Sequence, residues 1–352
     1  MVIVIGADVH KATHTFVAVD EVGRKLGEKT VKATTAGHDG ALRWARAQFG
    51  TELRWGVEDC RHLSARLERD MLAAGQEVVR VPPKLMAHAR ASARERGKSD
   101  PIDALAIARA VLREPDLPAA VHDESTRELK LLVDRREDLV GERTRQINRL
   151  RWHLHELDPE FDVPIKALRT RVQRERVAAW LAGRPGLVAE IARDVLEDIR
   201  AGSVRIDELE SRIGGLVQDR YPHLLAMPGC GPLVAAKIAG ETANVNRFRS
   251  EACFAMNAGV APLPVWSGNT KGRVRMSRTG NRQLNAALHR IAVTQIRLDG
   301  LGRAYYRKRL DGGDCTAEAL RCLKRRLARI VFHALHADQN PAHNPASLPL
   351  AA

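Results

Sequence analysis

The stretch MVIVIGADVHK, residues 1–11, decides the fold. It is apolar from Met1 to Ile5, is closed by Gly6, and then delivers a carboxylate at Asp8. A short Val/Ile run ending in glycine reads as a central strand. An acidic side chain at the end of such a strand lies at the rim of a sheet, where it can reach a cation without being sealed in the core. Asp also favours turns and helix caps, and on these eleven residues alone both readings stand.

The residues that follow build outward from that strand. THTFVAVDE (13–21) alternates and turns at Gly23, and KLGEKTVKA (25–33) can return antiparallel, giving a three-strand meander. Residues 37–49 carry helical spacing through Leu42, Ala45 and Phe49. LRWGVED then supplies a fourth strand ending at Glu58, so a second carboxylate closes a second strand. Residues 62–74 are helical by Leu63, Leu67 and Leu72, and EVVRVPP (77–83) is a fifth strand stopped by two prolines. The order βββαβαβα predicts a mixed sheet with helices packed on it.

GKSDPIDALAIARAVLRE (97–114) is the next decisive element. Pro101 suits the first helical position, which makes Asp100 the N-cap and Asp103 the third helical residue. Helix initiation alone would explain both acids. They also stand three apart on one side of the helix, and a carboxylate has lone pairs enough to cap and to ligate at once. Asp8, Glu58, Asp100 and Asp103, if clustered, would repel one another unless a divalent cation neutralised them. Hard oxygen donors select Mg²⁺ or Mn²⁺, and paired ions of that kind serve phosphoryl transfer.

The order GADVHK (6–11), WGVED (55–59) and KSDPIDALAIARA (98–110) resembles the DEDD insertion-sequence transposases, KSDxxDA being the specific element. The resemblance implies an RNase H type, RuvC-like N-terminal domain in which Asp8, Glu58, Asp100 and Asp103 are the metal ligands. Asp59 follows Glu58, but strand alternation puts it on the opposite face.

The 352 residues are 44% hydrophobic, enough for a sizeable core and two or three units. The formal net charge of +14 is uneven, with a net of +2 over residues 1–220 and +12 over 221–352. A field of that sign attracts polyanions, nucleic acid foremost. No apolar run is long enough to span a bilayer, and no basic leader precedes the first strand. Cys60, Cys230, Cys253, Cys315 and Cys322 are odd in number and form no CxxC pair, which argues against a disulfide framework or a conventional zinc site and fits a reducing cytoplasm.

Residues 124–158 read as one long helix. Val133, Val140, Ile147 and Leu154 recur every seven positions, while Leu129, Leu150 and Leu157 share the complementary set with Arg136 and Arg143. Pro159 and Pro164 end it. A second helical stretch, from Leu187 through Asp207 to Arg220, can fold back on it as an antiparallel pair. Arg143, Arg145, Arg149 and Arg151 suit nucleic-acid contact or a solvated face equally. The resemblance implies a coiled-coil element here and with it a homo-oligomer, a dimer or tetramer.

In the basic third, LLAMPGCGPLVAAKIAGE (224–241) has a PGxG turn before a small-residue helix. Such a turn can aim backbone N–H groups at a phosphate, or simply join two packed helices. Beyond it lies GVAPLPVWSGNTKGRVRMSRTGNRQLNAALHRIAV (259–293), with Ser267 in a loop followed by Lys271, Arg273, Arg275, Arg278 and Arg282. Read alone, Ser267 is a turn serine. GVAP, a short gap, SG, a basic run and a GNxxL helix are similar to the family's C-terminal transposase domain, whose serine nucleophile matches Ser267; Ser277 fits the spacing less well. The intervening LPVW lacks the charged residue many relatives carry there. Residues 280–297 and 315–335 are further helices. The second buries Leu320, Leu323, Leu327 and Val331 and turns Arg321, Lys324, Arg325 and Arg329 outward, toward phosphate. His333 and His336 read as surface or packing residues.

The expected architecture is α/β plus all-α. Residues 1–122 form the RuvC-like metal-binding domain, 123–220 the long coiled-coil helices, 221–336 the basic, mainly helical transposase domain, and 337–352 a disordered tail. The function that the resemblance implies is DNA recombination, with Mg²⁺ or Mn²⁺ held by the four acids, Ser267 forming a transient phosphoserine link to DNA, and a structured bridge RNA as guide. A metal-dependent junction endonuclease without a covalent step, and a non-catalytic RNA or DNA binder, are the alternatives.

Overall fold

In a computed structural model of the chain, the described residues are 2–58, 63–82, 85–86, 99–114, 117–121, 123–164, 166–270, 274–276 and 280–340. They fall in two compact units. The first takes in Met1–Glu124, Ala243–Asn285 and Asp314–His336; the second takes in Ser125–Thr242, Ala286–Gly313 and Ala337–Ala352.

The first unit holds a five-stranded sheet in the order β3-β2-β1-β4-β5. Its strands are β1 (Ile3–Val9), β2 (Thr13–Val19), β3 (Lys25–Lys32), β4 (Leu53–Glu58) and β5 (Glu77–Val81). β3, β2 and β1 form the antiparallel meander, and β1, β4 and β5 run parallel. The expected mixed sheet is therefore present. Gly6 does not close β1 but lies in its middle, and the strand continues through Asp8 to Val9. The exposed edge strand β3 carries Lys25, Lys29 and Lys32, a charge pattern that discourages pairing with another chain.

Alternation along β1 explains the two layers. Ile3, Ile5, Ala7 and Val9 join Phe16, Trp55 and Val57 on one face. That face is covered by Leu42 and Ala45 of α1 (Thr35–Phe49) and by Leu67 and Met71 of α2 (Ala65–Ala73). Val4 points the other way and joins Val17, Val19, Val79 and Val81 under Ala104, Ile107, Ala108 and Val111 of α3 (Asp100–Arg113). On that second face β1 and β4 each present a glycine. A Cβ at Gly6 would lie 2.0 Å from the Ala104 carbonyl oxygen and 2.5 Å from the Ala108 nitrogen, and one at Gly56 would lie 2.5 Å from a Val111 methyl. The missing side chains let α3 lie directly on the strands.

The first face also buries a polar group. His38 of α1 meets Asp70 of α2 through Nδ1 at 2.5 Å and stacks on His14 of β2, with ring centroids 5.1 Å apart. Burial, reinforced by His38, pushes the His14 pKa down from 6.5 to about 4.

The second unit is helical. α4 (Glu124–Leu157) and α6 (Leu187–Arg220) are each 34 residues long and run antiparallel. Glu128 meets Arg212 at 2.6 Å, Arg136 meets Glu210 at 2.8 Å, Arg143 reaches Ser203 at 3.3 Å and Gln146 reaches Asp198 at 3.2 Å. The seam arginines, awkward for a seam between identical helices, are matched here by α6 of the same chain. Ile147, Leu150 and Leu154 pack with Val177 and Leu181 of α5 (Arg171–Ala182) and with Leu196 and Ile199. α7 (Pro222–Leu225) leads to α8 (Pro232–Thr242), which is buried from Ala235 onward. Gly240 accommodates the Lys130 backbone, and the Lys130 ammonium bridges Asp134 at 2.9 Å and Glu241 at 2.8 Å. Burial by itself would lower the Lys130 pKa, but those two carboxylates outweigh it and hold it above the ordinary value.

The PGxG turn is a turn between packed helices. Gly229 adopts φ +84 with Thr294 and the Ile291 carbonyl against it, and Gln295 Nε2 donates to the Pro228 carbonyl at 2.8 Å. The remaining elements are α9 (Glu251–Asn257), the hairpin β6 (Pro262–Pro264) and β7 (Val274–Met276), α10 (Arg282–Arg297), α11 (Leu301–Asp311) and α12 (Thr316–Gln339). α12 carries helical structure into the segment expected to be disordered from residue 337, and Asp338 accepts from the His223 backbone and ring. Residues 341–352 lie outside the described residues. The described cysteines, Cys230, Cys253, Cys315 and Cys322, are free, and no described helix is long and apolar enough to cross a membrane.

Two outcomes test this packing. Gly6→Ala forces α3 off the sheet and is expected to cost about 2–3 kcal/mol in urea unfolding. For His14 the depressed folded pKa means that its contribution is present above pH 6.5 and is lost as pH falls toward about 4. Unfolding midpoints measured across that window should drop in the natural protein and drop less in His14→Phe.

Candidate metal centre

Asp8 is the next-to-last residue of β1 and shares the parity of Val4 and Gly6, so it faces the α3 side. The seating of α3 on Gly6 therefore brings the start of that helix to the Asp8 carboxylate. Asp8 is only 7% exposed, and its Oδ2 lies 3.1 Å from His10 Nε2. The same ring nitrogen is 3.3 Å from Asp100 Oδ1. The donor atoms of Asp8, His10 and Asp100 all lie within 4.8 Å of one another.

Burial pushes the Asp8 carboxyl above its ordinary range; His10 opposes the rise, and the charges of Asp103 and then Asp100 add to it. Asp103, itself 5% exposed, is thus close enough to be felt although it stands outside the trio. Glu58 ends β4. Val57 pairs in parallel register with Ala7, so Glu58 follows beside Asp8 on the same face of the neighbouring strand, half-buried.

The helix start differs from expectation by one residue. Ser99, extended at φ −152, precedes the helix, and Asp100 is its first residue. The Asp103 N–H bonds to the Ser99 carbonyl at 3.0 Å. Asp100 thus stands inside the helix and not at the cap position, and its carboxylate lies against His10. That histidine escaped sequence reasoning although it sits in GADVHK. The available signal was spacing, since residues 8 and 10 of an extended chain share a side.

A buried, like-charged carboxylate group with a raised pKa and an imidazole at its mouth is a donor set that fits a divalent cation. Such an ion would remove the repulsion that Asp8 now bears.

Ser267 lies in the exposed loop that follows β6, after the exposed Trp266 and before Gly268, whose φ is +48. Arg275 on β7 and Arg282 at the start of α10 are exposed. Lys271, Arg273, Arg278 and Ser277 lie outside the described residues, as do Asp59 and Cys60. On α12 the outward stripe needs correction. Lys324 is 8% exposed and donates to Asn285 Oδ1 at 2.5 Å; burial, with Arg321 adding, lowers its pKa. Asn285 is anchored by the Ala258 and Gly259 carbonyls, so Lys324 works inside the fold. Arg325 and Arg329 pair with Glu251 at 3.4 and 3.0 Å.

Comparison with known proteins bears on this arrangement. A family model described as transposase, of the DEDD IS110 type, matches residues 5–159. A second, described as transposase of the IS116/IS110/IS902 family, matches residues 221–307. The chain is 28% identical to an uncharacterized 44.8 kDa protein of insertion element IS116 from Streptomyces clavuligerus, over 93% of each chain. It is also 28% identical to an uncharacterized 42 kDa protein of insertion element IS900 from Mycobacterium paratuberculosis, over 97% of this chain and 98% of that one. The putative transposase of the IS117 mini-circle from Streptomyces coelicolor is 25% identical over 98% and 96%. Among solved structures, T. thermophilus RuvC in complex with a Holliday junction substrate aligns with 34% of this chain and 100% of that one, at 17% identity and a TM-score of 0.28. With the two transposase models together spanning more than half its length, the chain belongs to the IS110/IS116 family of DEDD transposases.

Proposed function

We propose that this transposase cuts and rejoins DNA at a divalent-metal site held by Asp8, Glu58, Asp100 and Asp103, with the Ser267 hydroxyl as nucleophile. The observation that carries the reading is Asp8. A carboxylate 7% exposed, raised by its own burial and facing further acids, costs stability unless a cation joins it. Mg²⁺ or Mn²⁺ bound there would neutralise the carboxylates and polarise a DNA phosphate.

Ser267 supplies the exchange chemistry. Its Oγ forms a bond to phosphorus as the bond from phosphorus to one sugar oxygen breaks; the serine proton is lost and the departing sugar oxygen gains one. Attack on the phosphoserine by a second strand's hydroxyl reverses these changes and joins new partners, so the phosphodiester energy is conserved. Arg275 and Arg282, with Lys271, Arg273 and Arg278 in the same segment, would bind backbone phosphates. Family resemblance further suggests a bridge RNA that selects donor and target DNA, leaving the protein to read shape and backbone. It also suggests a dimer or tetramer in which one copy's serine works at another's carboxylates.

The test is a denaturing gel after incubation with DNA carrying element ends and Mg²⁺. A protein–DNA adduct should form with the natural chain and vanish in Ser267→Ala and in Asp8→Asn. A Ser267→Ala protein that still cuts at the natural rate would instead indicate a junction endonuclease acting through water. Asp8 yields a second outcome. Its folded pKa is raised, so its favourable contribution exists at low pH and is lost as pH climbs through the folded value, leaving a cost at neutral pH. Asp8→Asn should therefore melt a few degrees higher than the metal-free natural protein at pH 7 while losing activity.

A further inference from the structure

We propose that His10 is a ligand of the divalent ion, so that the centre is a mixed nitrogen and oxygen site and not an all-carboxylate one. The inference rests on the metal reading above and deepens it. His10 directly follows β1 and is fixed by the hairpin that leads to β2, its N–H bonding to the Thr13 carbonyl at 3.0 Å. The backbone thus holds the ring at the mouth of the carboxylate group.

The placement of Nε2 is informative. It lies 3.1 Å from an Asp8 oxygen and 3.3 Å from an Asp100 oxygen. One ring N–H has a single direction and makes one good hydrogen bond, yet this nitrogen faces two carboxylates almost equally. Neighbouring ligand atoms around an ion bonded at about 2.1 Å stand roughly 3.0–3.4 Å apart in octahedral or tetrahedral arrangements. The two edges that meet at His10 have that size, and the Asp8 and Asp100 donor atoms lie within 4.8 Å of each other. Asp8 and Asp100 supply charge, and the imidazole supplies a neutral, softer donor.

The donor set carries a consequence for the choice of ion. Imidazole suits transition ions such as Zn²⁺, and of the two ions that oxygen donors select, Mn²⁺, itself a transition ion, accepts a nitrogen donor more readily than Mg²⁺. The centre should therefore bind Mn²⁺ distinctly more tightly than Mg²⁺, and His10 should account for the difference. His10 is about half exposed at a hairpin end, so its replacement leaves the core intact.

The experiment is calorimetric titration of the full-length protein with MnCl₂ and with MgCl₂, alongside electron spin-echo detection of ¹⁴N coupling to bound Mn²⁺. For His10→Ala, Mn²⁺ affinity should fall about tenfold or more, Mg²⁺ affinity should change by less than about threefold, and the nitrogen signal should vanish. An unchanged or tighter Mn²⁺ affinity in His10→Ala, or a natural protein without nitrogen coupling, overturns the proposal. Asp8→Asn separates the two levels. If it abolishes Mn²⁺ binding while His10→Ala does not weaken it, the carboxylate site stands and only the histidine assignment fails. If the natural protein binds neither ion, both fail together.

Discussion

The contact on which the candidate metal centre depends is the seating of α3 on β1 and β4, with its backbone against Gly6 and the Val111 and Ile107 methyls against Gly56. A helix normally stands off a sheet by the thickness of two side chains. Here the Ala104 carbonyl sits where a Gly6 Cβ would be, at 2.0 Å. That approach fixes both depth and direction. Ala104 rests on Gly6, so Asp103 and Asp100 overhang the next outward-facing position of the same strand, which is Asp8. The small-residue run Ala104, Ala106, Ala108 and Ala110 serves the same end, since each of those positions is buried.

That geometry also bears on whether the acids cap the helix. Acids at a helix start are usually explained by free N–H groups and the helix dipole. Ser99 occupies the extended position before α3, and Asp100 turns its carboxylate to His10 on another element. The Asp103 N–H is satisfied by the Ser99 carbonyl, while the Asp103 charge raises the Asp8 pKa. A pair serving only as caps would have no reason to converge on a buried third carboxylate. The repulsion they create is a standing cost to the fold.

Much of the sheet was legible because alternation is a strong local signal. β1 to β5 fall where the apolar runs predict them, and glycine and proline mark their ends. Gly6 misled for a physical reason. In sequence a glycine after five apolar residues looks like punctuation, and only a partner helix distant in the chain reveals it as a seat. His10 was hidden similarly, because its significance comes from Asp100, ninety positions away. On the long helices both the heptads and the antiparallel partner, residues 187–220, were readable, but not how the seam arginines are accommodated. Arg136 and Arg143 spoil a seam between identical helices, yet opposite Glu210 and Ser203 they are matched. The apolar seam of α4 is thus covered within the chain.

The basic third shows why formal charge and binding capacity differ. Its net of +12 creates a field that extends over a Debye length, about 8 Å at physiological salt, and such a field steers a polyanion whatever each cation touches. Direct contact is more demanding, since a cation already paired must give up its partner. On α12, Lys324 is held inside by Asn285, while Arg325 and Arg329 share Glu251. Those three contribute to attraction at a distance far more than to a phosphate clamp. Arg275 and Arg282, exposed among the basic residues that follow Ser267, bear no such ties among the described contacts. If this protein grips DNA beside its serine, the grip comes from that loop and its flanks, and the arginine face of α12 serves mainly to bring the polymer there.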